Sequence, residues 1–230
     1  MYFVVVAIVY LSIIHNLIVP SGTARSIESP QYTVVYTESD FEVRLYRECS
    51  WMSALVQGTT SFENSTKDGF HRLYQYIHGA NLNSTKIPMS APVLTSIINA
   101  SSSHGLDYYV RIYQSPKYER AAPQPLPELN LQLNKWKSHC IAIRKFSGFA
   151  KDDNIDKEVE SLRNSLNKYL SSNNMSSNGT TPITVDKNSS YTIAQYNSSR
   201  HLTGRLNEVW INVVSGFTAE GCPPYQEEQY

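Results

Sequence analysis

The sequence has only three cysteines and none of the common motifs of catalytic or metal sites. Cys49, Cys140 and Cys222 form no CxxC pair and no Cys/His cluster with zinc spacing. The patterns GxSxG, HExxH and GxGxxG and the phosphate-binding glycine loop are also missing. These absences argue against a zinc site and against the familiar hydrolases and nucleotide-binding enzymes. A secreted chain could form one disulfide, and the sequence leaves its pair open.

The chain also lacks an excess of either charge. Lys and Arg together number 20, as do Asp and Glu. Because nucleic acids and anionic membranes attract surplus positive charge, we expect neither as a partner. The 41% hydrophobic content is enough for a proper core. A monomer is the simplest expectation.

An apolar run occupies the N-terminus. Residues 3–19 are almost wholly apolar, and the small residues Gly22 and Ala24 suit signal-peptidase cleavage after Ala24. The run is short for a membrane span and polar near its end, although an uncleaved anchor is the alternative. We therefore predict a signal peptide at residues 1–24, a folded domain at 25–216 and no stable membrane span after cleavage.

Seven Asn-x-Ser/Thr sequons support entry into the secretory pathway. They lie at Asn64, Asn83, Asn99, Asn174, Asn178, Asn188 and Asn197. Such sites are glycosylated only in chains that enter the endoplasmic reticulum. We expect a glycoprotein that is secreted or delivered to the vacuolar lumen.

Alternating apolar residues predict strands, and two longer 3.6-residue periods predict helices. The helices are expected at 61–79 and Asp152–Leu170. The predicted strands are Tyr32–Thr37, Phe41–Tyr46, Trp51–Gln57, Val93–Ile98, Asp107–Tyr113, Leu131–Trp136, Cys140–Phe146, Tyr191–Tyr196 and Leu206–Val214.

The order of these elements predicts an α+β fold. It indicates a duplicated β-rich unit, with antiparallel sheets forming a distorted barrel and one long helix packed on each half. The pseudo-repeats span about 31–114 and 129–214. The Pro-rich segment 115–128 is expected to be a loop between them, and residues 217–230 an extended tail.

The first helix carries an apolar stripe. Ser61 or Ser65 could cap its N-terminus. The spacing i, i+3, i+4, i+7 places on one side Phe70, Leu73, Tyr74 and Ile77. The simplest interpretation packs this stripe on the sheet. The alternative leaves it partly open, with His71 and His78 on nearly one face and Lys67 and Arg72 placed to hold carboxylates.

Several segments resemble the SOUL haem-binding family, and the chain looks like a secreted, plant-type member. The likeness covers about residues 27–214. It rests on Gly69-Phe70 through Tyr76-Ile77, Gly79-x-Asn81, Lys86-Ile-Pro-Met-Ser-Ala-Pro-Val93, Ile27-Glu-Ser-Pro-Gln-Tyr32, Phe41-Glu-Val-Arg-Leu-Tyr46, Ala194-Gln-Tyr-Asn-Ser198 and Thr203-Gly-Arg-Leu-Asn-Glu-Val-Trp210. Family members look like tetrapyrrole binders whose shallow cleft is lined by this helix and nearby loops.

The resemblance implies a reversibly bound haem or other porphyrin. It makes ligand-binding candidates of Phe70, His71, Arg72, Leu73, Tyr74, Ile77 and Arg205. Some animal members carry a histidine, regarded as an iron ligand, in the strand where this chain has Leu45. Either His71 or His78 replaces that ligand, or the macrocycle binds without a protein ligand.

Three functions remain open from the sequence. The resemblance favours non-enzymatic binding of haem or a related tetrapyrrole, as a buffer or carrier. One alternative is an enzyme acting on tetrapyrroles, for example by metal removal. Another is a binder of a different apolar ligand or of a protein partner. The cluster Arg205, Asn207, Glu208 and Trp210 is either a pocket rim or a paired turn with a buried tryptophan.

Overall fold

The computed structural model describes residues 27–99, 105–118, 121–174, 190–198, 200–213, 217 and 220–223. The predicted signal peptide and the sequons Asn178 and Asn188 lie outside the described residues. The side chains of Asn99 and Asn174 lie outside them as well.

The described residues form nine strands and two α-helices, as the sequence predicts. A short 3-10 helix, Pro127–Leu129, was not expected. The α-helices are α1 (Phe62–Ile77) and α2 (Ile155–Asn174). The strands are β1 (Tyr32–Thr37), β2 (Glu42–Tyr46), β3 (Cys49–Thr59), β4 (Val93–Asn99), β5 (Leu106–Gln114), β6 (Leu131–Trp136), β7 (His139–Ser147), β8 (Tyr191–Gln195) and β9 (Leu206–Asn212).

All nine strands belong to one antiparallel sheet in the order β1-β2-β7-β9-β8-β4-β5-β3-β6. The segments β2-β3-α1-β4-β5 and β6-β7-α2-β8-β9 repeat one arrangement. The first strand of each segment pairs with the other segment, because β2 lies beside β7 and β6 beside β3. The pair β4–β8 joins the two segments at the middle of the sheet. The sheet curls into a half-barrel, which confirms the predicted α+β fold.

The two faces of the sheet bury different sets of side chains, since consecutive strand residues point to opposite sides. On the helix-covered face, Leu73 and Ile77 of α1 pack with Met52 and Val110. Helix α2 packs on that face with a second cluster. The inner face holds an aromatic cluster without helix residues, which includes Tyr46, Trp51, Tyr113, Trp136 and Trp210.

The N-terminus of α1 is held by both halves of the chain. Ser61 is the N-cap and accepts a hydrogen bond from the backbone nitrogen of Asn64 at 3.1 Å. The carboxylate of Asp152, just before α2, accepts from Ser61 Oγ at 2.7 Å and from the backbone nitrogen of Phe62. An acidic group there also complements the positive end of the helix dipole. Asp152 was expected at the start of α2 and instead stabilises α1.

The C-terminus of α1 explains the recognised motif Gly79-x-Asn81. Gly79 takes a φ of +110°, which favours glycine and ends the helix. The buried Asn81 amide donates to the carbonyl oxygens of Tyr76 at 3.1 Å and Thr85 at 2.8 Å. It also accepts from the backbone nitrogen of Thr85 at 3.0 Å. These bonds fasten the segment after α1 to the helix end.

The Pro-rich segment is packed more closely than a linker. Tyr118 is buried in the same cluster as Leu73 and Ile77 of α1. Tyr76 of α1 donates its hydroxyl to the carbonyl of Pro123 at 2.9 Å. The segment therefore covers part of α1.

The prediction of an extended tail is wrong for the tail residues that the structure describes, 217 and 220–223. Phe217 is buried and lies against Tyr36 and Tyr169, with ring centroids 5.2 and 5.4 Å away. Cys222 forms a disulfide with Cys140 on β7. The third cysteine, Cys49, is buried at the start of β3.

Candidate ligand-binding groove on helix α1

Helix α1 divides its apolar stripe between the core and the surface. Leu73 and Ile77 are 0% and 3% exposed and pack against the sheet. Phe70 is half-buried, whereas Tyr74 is 47% exposed. The stripe is wider than the surface that the sheet covers, so its two aromatic residues lie at the edge. In this conformation Leu73 and Ile77 cannot contact a ligand, contrary to their predicted role.

The exposed edge of the stripe borders a shallow groove of about 490 Å³. We call it the α1 groove. All its lining residues belong to one helix and occupy positions that neighbour one another over three turns. They are Asn64, Lys67, Asp68, Phe70, His71 and Tyr74. The groove thus combines two aromatic rings with an imidazole and one charge of each sign.

The aromatic side chains continue past the groove towards the end of α1. The ring centroids of Phe70 and Tyr74 lie 6.1 Å apart at an interplanar angle of 52°. Those of Tyr74 and His78 lie 3.9 Å apart and are stacked. Such contacts favour a continuous apolar surface over three turns. A flat aromatic ligand would find ring faces along this surface.

The two histidines of α1 differ in whether a ring nitrogen can bind a metal without losing a hydrogen bond. His78 Nδ1 donates to the carbonyl oxygen of Tyr74 at 2.8 Å, which leaves the lone pair on Nε2. His71 Nε2 lies 2.9 Å from the amide nitrogen of Gln75 and accepts from it. Binding a metal through that nitrogen would break this hydrogen bond. His78, which lies outside the groove lining, is therefore the better prepared ligand.

Arg72 has a structural role. Its Nη2 donates to the carbonyl oxygen of Leu55 on β3 at 2.8 Å and lies 3.8 Å from the carboxylate of Asp68. These contacts tie α1 to the sheet, so Arg72 does not line the groove. Lys67, which is exposed and lines it, is the cation there.

Arg205 lies away from the α1 groove and holds a loop. It is buried, and its guanidinium donates to the carbonyl oxygens of Ser198 at 2.6 Å, His201 at 2.8 Å and Asn197 at 3.1 Å. It also lies 4.2 Å from the ring centroid of Phe149. The geometry favours the paired turn over the pocket rim, and Arg205 is not among the groove residues.

A buried ion pair on the inner face was missed by the sequence reading. The alternation of apolar and polar residues in Phe41–Tyr46 predicts a half-buried strand and puts Arg44 on its polar side. The structure buries Arg44 to 1% exposure opposite Glu208. Tyr196 donates a hydrogen bond from its hydroxyl to the Glu208 carboxylate at 2.8 Å. The pKa of Tyr196 is raised, mainly by burial and also by the negative charge of Glu208. The neighbouring aromatic Tyr46 was the available signal that this face is covered.

The residues that the structure describes contain neither a cluster of three metal-ligating side chains nor a helix that could span a membrane. There, no three His, Cys, Asp or Glu side chains come together as metal ligands. No helix among those residues is both long and apolar enough to cross a bilayer.

Comparison with known proteins gives the fold a family. The SOUL heme-binding protein model matches residues 27–212. Heme-binding protein 2 of Homo sapiens is 28% identical over 196 residues, which cover 83% of this chain and 88% of that protein. Heme-binding protein 1 of Xenopus laevis is 27% identical over 174 residues, covering 74% and 82%.

Solved structures add little to this likeness. A hydrolase from Listeria innocua covers 76% of this chain and 91% of that one, with a TM-score of 0.45 and 8% identity. So distant a similarity supports no functional argument. The family match, in contrast, extends from the segment before β1 to the end of β9. The chain therefore belongs to the SOUL haem-binding protein family.

Proposed function

We propose that the protein holds haem or a related tetrapyrrole reversibly in the α1 groove, as a buffer or carrier without catalysis. Family membership supports the ligand class. The observation that carries the proposed location is the open aromatic surface of Phe70 and Tyr74 beside that groove.

The lining residues fit the chemistry of such a ligand. Phe70 and Tyr74 would bind the apolar ring face, whose burial is the main favourable contribution. Lys67 would pair with a propionate. When bound, haem would supply an iron, and His78 or His71 is the side chain that would ligate it. Because the groove is shallow and single-sided, we expect exchangeable binding.

We further infer that the protein resides in the secretory pathway or outside the cell. The Cys140–Cys222 disulfide supports this location, since such bonds persist in oxidising compartments. Asn64 and Asn83 are exposed, as glycosylation sites must be. This location would make the protein a carrier of extracellular or vacuolar tetrapyrrole.

Porphyrin titration of the purified protein, produced without glycosylation, tests the proposal. We expect a shift of the Soret band with wild type and roughly tenfold weaker binding for Tyr74→Ala and Phe70→Ala. Tyr32→Ala is a matched control, because Tyr32 is 44% exposed but lies on β1 at an outer edge of the sheet.

Two outcomes would contradict the proposal. Equal losses in the control and groove variants would show that the α1 groove is not the site. Turnover of a metalloporphyrin beyond one equivalent would contradict a purely binding role and favour the enzymatic alternative.

A further inference from the structure

One sequon lies within the proposed binding site. Asn64-Ser65-Thr66 occupies the first turns of α1, and the exposed side chain of Asn64 lines the α1 groove. Asn64 precedes Lys67 and Asp68 by about one turn and His71 by about two turns on the same side of the helix. The predicted modification site and the proposed ligand surface are thus contiguous.

A second exposed sequon provides a contrast. Asn83 lies just beyond the end of α1, in Asn83-Ser84-Thr85, and does not line the groove. The two sites share their acceptor chemistry and their exposure. They differ in position relative to the groove.

We propose that an N-linked glycan on Asn64 covers the α1 groove and excludes the tetrapyrrole, so that occupancy of this residue sets access to the site. This inference rests on the function proposed above. In the modification, Asn64 Nδ2 loses a proton and forms a bond to the first sugar of a lipid-pyrophosphate-linked oligosaccharide. The bond from that sugar to the pyrophosphate breaks, and the lipid pyrophosphate leaves.

The α1 groove is short and open, so a glycan on Asn64 would obstruct ligand binding. From Asn64 to Tyr74 the groove extends only about 15 Å along the helix axis. Among the described residues, the groove is lined by one helix alone, and no opposing wall there shields a ligand from a bulky, hydrated substituent at one end. Ring contact with Phe70 and Tyr74 requires water to leave this surface, and a glycan over it keeps the surface hydrated. The glycan therefore competes with the macrocycle.

The test uses protein secreted from a glycosylating host, with site occupancy measured by mass spectrometry of glycopeptides. We expect occupancy at Asn64 and weak porphyrin binding for wild type. Asn64→Gln should bind roughly tenfold more tightly, as should wild type trimmed by an endoglycosidase. Asn83→Gln should bind like glycosylated wild type.

A second variant separates the glycan from the asparagine side chain. Thr66→Val removes the sequon but keeps Asn64, at the cost of the 2.9 Å hydrogen bond between Thr66 and Thr95. It should bind porphyrin as tightly as Asn64→Gln, with folding checked by denaturation.

The possible failures are distinguishable. An unmodified Asn64, or equal affinities for glycosylated wild type and Thr66→Val, would overturn the inference and leave the proposed function standing. No Soret shift with any form, including both variants without the sequon, would overturn the proposed function and the inference together.

Discussion

Arg44 on β2 and Glu208 on β9 form a bidentate ion pair on the inner face of the sheet, although β7 lies between the two strands. Arg44 Nη1 and Nη2 donate to the two carboxylate oxygens at 3.1 and 2.8 Å. Trp210 Nε1 donates to the same carboxylate at 2.8 Å. This network links β2 of the first half to β9 of the second.

Glu208→Ala should destabilise the fold by about 3–5 kcal/mol, because Arg44 keeps only Glu42 as a counter-charge and the buried donors of Tyr196 and Trp210 lose their acceptor. Urea denaturation measures the loss. Glu160→Ala on the exposed side of α2 is the control and should change the free energy of unfolding by less than about 0.5 kcal/mol. A loss below about 1 kcal/mol for Glu208→Ala would show that the network contributes little.

Gly69→Ala should lower stability, although alanine favours helix by about 1 kcal/mol. A Cβ at Gly69 would lie 2.5 Å from Val110 Cγ2 on β5, so the helix or the strand must move. Chemical denaturation of Gly69→Ala, Val110→Ala and the double variant tests the contact. Val110→Ala removes the nearer methyl but keeps Val110 Cβ at 2.7 Å, so it should relieve the clash only in part, and strictly additive effects would contradict the contact.

Neighbouring residues of α1 should separate stability from binding. Leu73→Ala should cost about 2–5 kcal/mol of unfolding free energy, because it opens a cavity under the helix. Tyr74→Ala should cost little stability but weaken porphyrin binding. Thermal denaturation and Soret titration of the two variants check this division. If folded Leu73→Ala lost more affinity than Tyr74→Ala, the buried side of the helix would be implicated instead.

Stability should decrease as the pH falls below about 6.5, partly because of His139. Burial lowers the pKa of this imidazole, although the carbonyl of Lys137 accepts a hydrogen bond from Nδ1 at 2.7 Å. As the pH falls below the unfolded-state pKa, His139 is protonated in the unfolded chain but stays neutral in the folded protein. Acid therefore favours unfolding until the pH also drops below the folded-state pKa.

His139→Phe should therefore lose less unfolding free energy than wild type between about pH 7.5 and about pH 5.5. Denaturant titrations at the two pH values measure the difference. His201→Phe, on an exposed loop, should keep the wild-type dependence. An unchanged dependence in His139→Phe would exclude His139 as the source.

The strands and helices could be predicted because their positions depend mainly on the local periodicity of apolar residues. The predicted bounds of β1 and β6 match the structure, and the residues that carry the helical period of α2, Ile155, Val159, Leu162 and Leu166, are buried. The burial of Arg44 was not readable, since alternation reports polarity and cannot tell whether another part of a curled sheet covers the polar side. The disulfide pair likewise depends on where the tail returns in space.

The candidate site shows the same limit. Helical spacing grouped Phe70, Leu73, Tyr74 and Ile77 correctly on one side, but it could not place the boundary of the sheet beneath them. That boundary depends on how closely the helix approaches β5, which Gly69 permits. The assignments of Arg72 and Arg205 came from position alone, and each guanidinium instead binds backbone carbonyls.

The exchange of β2 and β6 between the halves bears on how the chain folds during synthesis. Glu42 pairs with Ile143, roughly a hundred residues later, so β2 has no partner on its β7 side until the second half has emerged from the ribosome. A nascent first half would expose this strand edge and the apolar residues beside it. Neither half is expected to be a self-sufficient folding unit, and early chain termination should yield an aggregation-prone fragment.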